Sequence, residues 1–278
     1  MNRLKDLYAA IAAAPEGSTT LAAFDLDGTL ITGYSATVVY RDRLRHFDIS
    51  LAELLRTTGA AFDTQFRGAD VGRLMEIAVS GLAGRSEDEL WEWSQRLFRQ
   101  EVASMIYPDV RRLLDAHRRA GHRIVMATSA TTYQAQHLAD DLGIDDILCS
   151  RPEVVDGILT GEMTGPALWG PAKAKALREF ADEADAPLSE AFAYSNGVED
   201  VPMLDSVGRP VALNPDRRLA GIAHDEGWLA VNLRKPERGA TPVATLRTGA
   251  ALSALTATTA AAVTAGCCRA TGGPRRTS

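Results

Sequence analysis

The segment at residues 24–30 (FDLDGTL) constrains this chain more than any other. The apolar run at residues 19–24 (TTLAAF) predicts a buried strand, so two carboxylates follow at the point where a strand ends and a Gly-Thr turn begins. Open α/β sheets place their binding sites at this end of the strands. Asp25 and Asp27 would point the same way if the strand continued, and such charges repel unless a cation or a proton lies between them. Mg²⁺ suits oxygen ligands of this kind.

An ordinary turn with solvated Asp side chains is the alternative, because the DxDG pattern also occurs in calcium loops and in plain hairpins. Residues 31–36 (ITGYSA) supply no further acidic ligand and no closing Glu, which argues against a calcium loop. The choice between a plain turn and a reactive one therefore depends on the later segments of the chain.

The composition is that of a soluble globular protein. With 46% hydrophobic and 24% charged residues in a length of 278, the chain can bury one large core or two smaller ones. A net charge of -6, without a basic run interleaved with aromatic residues, argues against a nucleic-acid binder. The cysteines form neither a disulfide framework nor a zinc pattern, so we expect a reducing, cytoplasmic location.

Both ends of the chain raise the question of membrane contact. Residues 1–18 place basic residues before an apolar stretch, as a weak signal peptide does, but Asp6 interrupts the charged part and Pro15 ends the stretch. We therefore predict a leading amphipathic helix. Residues 248–268 are uncharged and long enough to span a bilayer, yet Ala and Thr are only weakly apolar. We expect a disordered or interfacial tail, with weak membrane contact as the alternative.

From residue 34 to residue 106 the pattern is helical. Ser86 with Glu89 predicts a capping box, and apolar residues recur at spacings of three and four in residues 35–47, 51–62, 72–84 and 86–106. No strand signal intervenes, and roughly 70 residues are enough for a small domain with its own core. We therefore predict a helical lid inserted into an α/β domain.

The α/β pattern returns after this insert. The pattern of residues 109–123 predicts an amphipathic helix that ends at Gly121, and residues 124–128 (IVMAT) predict a buried strand ending at Thr128. A hydroxyl there, followed by Ser129 and a helix N-terminus, suits a phosphate group, although a plain helix cap is the alternative. Lys173 lies near the start of an Ala-rich helix, where a surface lysine is the simpler interpretation of that segment alone.

The remaining segments complete the predicted fold. Residues 191–204 predict a strand, a loop and a helix, and residues 208–233 repeat strand, helix and strand. With strands near residues 20, 125, 191, 210 and 230, we predict a three-layer α/β sandwich with a parallel Rossmann-like sheet and an inserted helical cap. The predicted division is a core domain at 1–33 and 107–233, a cap at 34–106, and a linker and Ala/Thr-rich tail at 234–278.

In this order the segments resemble the four motifs of the haloacid dehalogenase superfamily, and the helical insert resembles that of its subfamily IB, the phosphoserine-phosphatase-like branch. The resemblance implies a Mg-dependent phosphatase that hydrolyses a small phosphate monoester through an aspartyl-phosphate, with Asp25 as nucleophile and Asp27 as general acid and base. It further implies catalytic roles for Thr128 and Lys173, substrate contacts from Gly28, Thr29, Tyr34 and Ser129, and Mg²⁺ ligands at Asp25, Asp27, Asn196 and Asp200.

Two positions depart from the family pattern. Asn196 stands where the family commonly has Asp, so the affinity for Mg²⁺ should fall unless the adjacent Glu199 restores the charge. Tyr34 stands where phosphoserine phosphatases hold the substrate ammonium with Glu, and a phenol offers no fixed negative charge. We therefore predict that phosphoserine is not the preferred substrate, unless another cap carboxylate, such as Asp42 or Glu53, reaches the site.

Two other functions stay open at this point. Asn196 is compatible with a catalytically weak phosphoryl-binding module, and the tail is compatible with a membrane-associated accessory protein. The expected partner is a small phosphorylated metabolite and not a nucleic acid. The sequence does not indicate an oligomeric state.

Overall fold

The computed structural model describes residues 3–46, 49 and 71–236. The predicted helix at residues 51–62, the carboxylate of Glu53 and the tail at residues 248–268 lie outside the described part. Within it, the chain forms a parallel sheet between two layers of helices, to which the helical insert and a small hairpin are attached.

Six strands form the central sheet, and two more form a separate antiparallel hairpin. The strands are β1 (Leu21–Phe24), β2 (Arg123–Thr131), β3 (Asp146–Ser150), the hairpin strands β4 (Pro152–Val155) and β5 (Ile158–Met163), β6 (Phe192–Ser195), β7 (Arg209–Leu213) and β8 (Leu229–Val231). The sheet order is β3-β2-β1-β6-β7-β8, and all neighbours are parallel. The predicted parallel sheet is confirmed, and β3 adds an edge strand to the five that the sequence prediction counted in the sheet.

Helices cover both faces of this sheet. They are α1 (Arg3–Ala12), α2 (Ser35–Arg45), α3 (Val71–Ser80), α4 (Glu87–Gln100), α5 (Val110–Arg119), α6 (Thr132–Leu142), α7 (Pro171–Glu183), α8 (Val201–Leu204) and α9 (Arg217–Asp225). None of the helices in the described residues has the length and hydropathy of a membrane span.

The alternation of side chains along β1 divides the core into two layers. Ala22 and Phe24 pack with α1, α5 and α6 on one face, whereas Leu21 and Ala23 pack with α7, α8 and α9 on the other. All four residues are buried, as expected for a parallel strand covered on both sides. The predicted three-layer α/β sandwich is therefore confirmed.

The leading helix α1 is part of this core. Its Leu7 and Ile11 are buried against the sheet layer, while the opposite side of the helix is exposed. The amphipathic helix predicted ahead of Pro15 is confirmed.

The described part of the insert is helical, as predicted, with α2, α3, α4 and a 3₁₀ turn at Val102–Met105. Ser86 is the N-cap residue of α4, but its side chain makes no capping bond, so the predicted capping box with Glu89 is wrong. Its backbone instead forms a bridge with Ile158 in the hairpin, and the Glu87 N–H donates to the Gly157 carbonyl at 2.9 Å. The division into core and cap stays a prediction.

Candidate active site

Three charged side chains from distant parts of the chain meet at the carboxyl edge of the sheet. Lys173 Nζ lies 2.8 Å from Asp25 Oδ1 and 2.8 Å from Asp200 Oδ2. Lys173 is only 2% exposed, and both carboxylates are buried with it. A buried charge is tolerated only when it is paired, so the interpretation of Lys173 as a surface lysine is wrong.

Backbone geometry explains why these side chains converge. Asp25 directly follows β1, and its N–H donates to the Tyr194 carbonyl of β6 at 2.9 Å, which extends the strand pairing by one residue. Lys173 lies in the first turn of α7, whose first residue is Pro171, the position where a missing N–H costs nothing. Asp200 ends the 3₁₀ turn Val198–Asp200, just beyond β6.

Neutral side chains orient the two carboxylates. The hydroxyl of Thr29 donates to Asp25 Oδ2 at 3.0 Å and lies 3.4 Å from Asn196 Oδ1. The hydroxyl of Ser195 donates to Asp200 Oδ2 at 2.7 Å. Both oxygens of Asp25 therefore have a donor, whereas the buried Asp200 Oδ1 has no hydrogen-bond partner.

Asp27 faces the start of α2 instead of the lysine. Its Oδ1 accepts from the Ser35 N–H at 2.7 Å, and its Oδ2 accepts from the Ser35 hydroxyl at 3.1 Å. Burial raises the pKa of Asp27 to about 7, with a smaller increase from Asp25, although the bond from the Ser35 N–H acts in the opposite direction. A carboxyl group with this pKa can both give and take a proton near neutral pH.

Asp25 has a different electrostatic environment. Burial raises its pKa to about 6 and the charge of Asp200 adds to the rise, while the Lys173 ammonium opposes it. Burial acts to lower the pKa of Lys173, but Asp200 and Asp25 outweigh it and leave that pKa raised. Burial therefore raises the pKa of both carboxyl groups, and the Lys173 ammonium opposes this rise more strongly at Asp25, which it contacts directly.

Thr128 lies at the same edge, one strand away. Phe24 pairs with Met126, so Thr128 is two residues beyond the level at which β1 ends. Its hydroxyl is buried and accepts from the Ala130 N–H at 3.1 Å. Ser129, the next residue, is half-buried.

Two sequence predictions about this strand are wrong. β2 does not end at Thr128 but continues to Thr131, because pairing with β3 resumes at Thr131 after an irregularity. The N-cap of α6 is Thr131, whose N–H donates to the Gln134 side chain at 3.0 Å, so Thr128 does not open the helix. Its predicted contact with phosphate stays a prediction.

The first loop packs tightly against the loop after β6. Gly28 has a φ of +79°, and a Cβ on it would lie 2.1 Å from Asn196 Nδ2, so any other residue there would be strained and would displace the Asn196 side chain. Asn196 is half-buried, and its proximity to Gly28 and Thr29 places it beside the Asp25 loop, as predicted. Tyr34 is the N-cap residue of α2 and directly precedes Ser35, which binds Asp27.

Sequence reasoning missed three polar residues of the site: Ser35, Ser195 and Asn214. Ser35 could have been suspected, because a serine at the start of a helix, soon after the two aspartates, has a free N–H and hydroxyl. Ser195 ends a strand just before the Asn196 loop, which is a weaker signal. Asn214 donates to carbonyls 186 and 185 residues away, and no local pattern reports such a contact.

The donor set suits a hard divalent cation. In the part of the chain that the structure describes, no group of three or more His, Cys, Asp or Glu side chains is placed to hold a metal ion. The oxygen donors here are the carboxylates of Asp25 and Asp200 together with the amide of Asn196, a residue type outside that set. The unpartnered Asp200 Oδ1 is the observation that fits a cation, because buried polar atoms in proteins are otherwise satisfied.

A buried lysine thus lies between two buried carboxylates at the carboxyl edge of a parallel sheet, the edge at which open α/β sheets place their binding sites. The family model for haloacid dehalogenase-like hydrolases matches residues 22–205. The chain belongs to that family.

Similar proteins indicate which branch of this family the chain resembles. The chain is 34% identical over 265 residues to phosphoserine phosphatase SerB1 of Mycobacterium tuberculosis (strain ATCC 25618 / H37Rv), with 91% of this chain and 86% of the relative covered. A crystal structure of a protein with unknown function from Bordetella pertussis Tohama I matches with a TM-score of 0.69 at 25% identity, over 77% of this chain and 98% of the other.

A third comparison concerns the fold. A probable phosphoserine phosphatase from Vibrio cholerae matches with a TM-score of 0.59 at 18% identity, over 89% of this chain and 68% of the other. The predicted resemblance to the phosphoserine-phosphatase-like branch is confirmed, and with it the class of enzyme, a phosphoric monoester hydrolase.

Proposed function

We propose that the chain is a Mg²⁺-dependent phosphatase that hydrolyses a small phosphate monoester through an aspartyl-phosphate on Asp25. The observation that carries this proposal is the position of Asp25 between Lys173 at 2.8 Å and Thr29 at 3.0 Å. These two donors hold the carboxylate in one orientation, and the ammonium keeps it ionised. Attack on phosphorus requires an oriented carboxylate anion, and Asp25 offers one at the carboxyl edge of the sheet.

In the first step, an Asp25 oxygen forms a bond to phosphorus while the bond from phosphorus to the leaving oxygen breaks. Asp27 gives its proton to that oxygen, so the alcohol leaves as a neutral molecule. The pKa of Asp27, raised by burial to about 7, supports this role because part of the population carries the proton at neutral pH. The two bonds from Ser35 fix the direction in which Asp27 acts.

In the second step, Asp27 is ionised and takes a proton from water. The resulting hydroxide attacks phosphorus, the bond to Asp25 breaks, and inorganic phosphate leaves. Both carboxyl groups then have their initial protonation states, so the cycle closes without another reactant.

The residues present fit Mg²⁺, which is expected for the family. Asp25, Asp200 and Asn196 would hold it, with Asp27 as a further predicted ligand, and the bound ion would supply positive charge to the phosphoryl oxygens. Lys173, by contrast, has both of its buried partners already in place. We assign it the balancing of the two carboxylates, and we assign phosphoryl contacts to Thr128 and Ser129.

The relative from Mycobacterium tuberculosis is named a phosphoserine phosphatase, which makes phosphoserine the competing substrate. Phosphoserine carries an ammonium group that needs a carboxylate partner. Tyr34 offers none, and one oxygen of Asp42 is taken by a hydrogen bond from Trp93 Nε1 at 2.7 Å. We therefore propose an alkyl or glycerol-type phosphate in preference to phosphoserine.

The test is a kinetic assay of the full chain with Mg²⁺ over a panel that contains phosphoserine, glycerol phosphates and short alkyl phosphates. We expect hydrolysis that disappears with a chelator, is lost in Asp25→Asn, and is kept in Asp145→Asn, a matched control at an exposed position. Absence of hydrolysis across the panel would contradict the proposed activity. A clear preference for phosphoserine would contradict only the proposed leaving group.

A further inference from the structure

Asn214 joins the catalytic loop to the last strand of the sheet. It follows the end of β7 and has a φ of +53°, a conformation that Asn tolerates better than most residues. Its side-chain nitrogen donates to the Gly28 and Thr29 carbonyls, at 3.3 Å each. Its side-chain oxygen accepts from the Leu233 N–H at 2.7 Å.

The two carbonyls belong to the part of the loop that orients the nucleophile. The Thr29 hydroxyl donates to Asp25, and Gly28 packs against Asn196, so a shift of this peptide would move both contacts. Within the loop, the Leu26 carbonyl accepts from the Leu30 N–H at 2.9 Å. Asn214 adds two bonds to the loop from the end of β7.

The third partner of the Asn214 side chain, the Leu233 N–H, belongs to a strand end that other bonds also hold in place. Leu233 lies beyond β8, and the next residue, Arg234, is anchored separately to Asp109 through two nitrogen-oxygen distances of 3.2 Å. The Asn214 backbone N–H also donates to the Val231 carbonyl at 2.7 Å, independently of the side chain. The strand end therefore has its own anchors, and the loop is the partner that depends on the Asn214 amide.

We propose that Asn214 is a positioning residue for the phosphatase reaction: its amide fixes the Gly28–Thr29 peptide and thereby the orientation of the Asp25 nucleophile. Asparagine suits this place because one amide offers two N–H donors and an acceptor. Aspartate has the same shape, but its carboxylate would place lone pairs against two carbonyl oxygens. The role in catalysis rests on the proposed function, whereas the role in holding the loop does not.

The test compares Asn214→Asp and Asn214→Gly with Asn232→Asp, a matched control at an exposed position directly after β8. Glycine accepts the positive φ without strain and removes every side-chain bond. We expect kcat to fall about 10²-fold in both Asn214 variants, with KM changed little, because the bound substrate would meet a misplaced nucleophile. We expect the control to match the wild type.

Hydrogen exchange of the segment at residues 24–31 supplies a readout that needs no activity. Amides of this segment should exchange faster in both Asn214 variants and at the wild-type rate in Asn232→Asp. Wild-type exchange and wild-type kcat in a folded Asn214 variant would overturn the proposal. Failure of both variants to fold would also overturn it, since the role would then be structural. If the wild type hydrolyses nothing, the proposed function fails, and the exchange data still decide whether Asn214 holds the loop.

Discussion

A buried chain of hydrogen bonds beneath the site predicts how the stability of this protein depends on pH. His117 is fully buried, with Nε2 at 2.7 Å from the Tyr194 hydroxyl and Nδ1 at 2.8 Å from His122 Nδ1. His122 Nε2 lies 3.1 Å from the Pro15 carbonyl, which only accepts. His122 therefore carries its proton on Nε2, His117 carries its proton on Nδ1, and the Tyr194 hydroxyl donates to His117. Each ring is neutral in this arrangement.

The loss of unfolding free energy at low pH follows from the pKa of His117. Burial, with a smaller effect of His122, lowers this pKa from the ordinary value of 6.5 to about 3. Below pH 6.5 the His117 ring binds a proton in the unfolded chain but stays neutral in the folded protein. Stability is therefore lost as the pH falls from 6.5 toward 3. At pH 5 the loss is about 2 kcal/mol, from about 1.4 kcal/mol per pH unit.

Urea unfolding at pH 7 and at pH 5 measures this loss, in the wild type and in His117→Gln. The variant lacks the titrating ring, so the drop in unfolding free energy between the two pH values should be smaller by about 2 kcal/mol than in the wild type. The comparison holds even if the variant is less stable overall. His224→Gln, at an exposed histidine, is the matched control and should keep the wild-type pH dependence. An unchanged pH dependence in His117→Gln would refute the reasoning.

Three further predictions concern the site. Lys173→Met should lower the unfolding free energy by about 3–5 kcal/mol and abolish activity, because it leaves two carboxylates buried without a cation; near wild-type stability in a denaturant titration would contradict this. Asn196→Asp should lower the Mg²⁺ concentration for half-maximal activity, whereas an unchanged requirement would mean that Glu199 or another group already supplies the charge. Gly28→Ala should reduce kcat without unfolding the protein, because its Cβ would push Asn196 aside; a wild-type kcat would show that the loop tolerates the shift.

Much of the fold could be predicted because local patterns record it. The buried run before Asp25, the proline that opens the helix of Lys173, and the helical insert each leave a periodicity or a cap signal in the sequence. The order of four motifs then assembled a site that no single motif specifies. Lys173 shows the value of that order, since its own helix predicts a surface residue and the structure buries it.

The failures share a physical cause, which is competition from distant parts of the chain. Thr128 was predicted to open a helix, but pairing with β3 carries the strand on to Thr131. Ser86 has the residue type of a capping box, yet its backbone forms a bridge with Ile158 of the hairpin and its side chain makes no capping bond. Asn214 gives no local signal at all, because its partners are brought to it only by the sheet.

The central claim is that Asp25 becomes covalently phosphorylated, and trapping of the intermediate tests it most directly. The wild-type enzyme would be quenched with acid during turnover of its best ester, digested, and examined by mass spectrometry for a phosphoryl group on the peptide that carries Asp25. We predict this adduct in the wild type, more of it in Asp27→Asn, where the base that activates water is missing, and none in Asp25→Asn. Turnover by Asp25→Asn at the wild-type rate, or an adduct on another residue, would contradict the account.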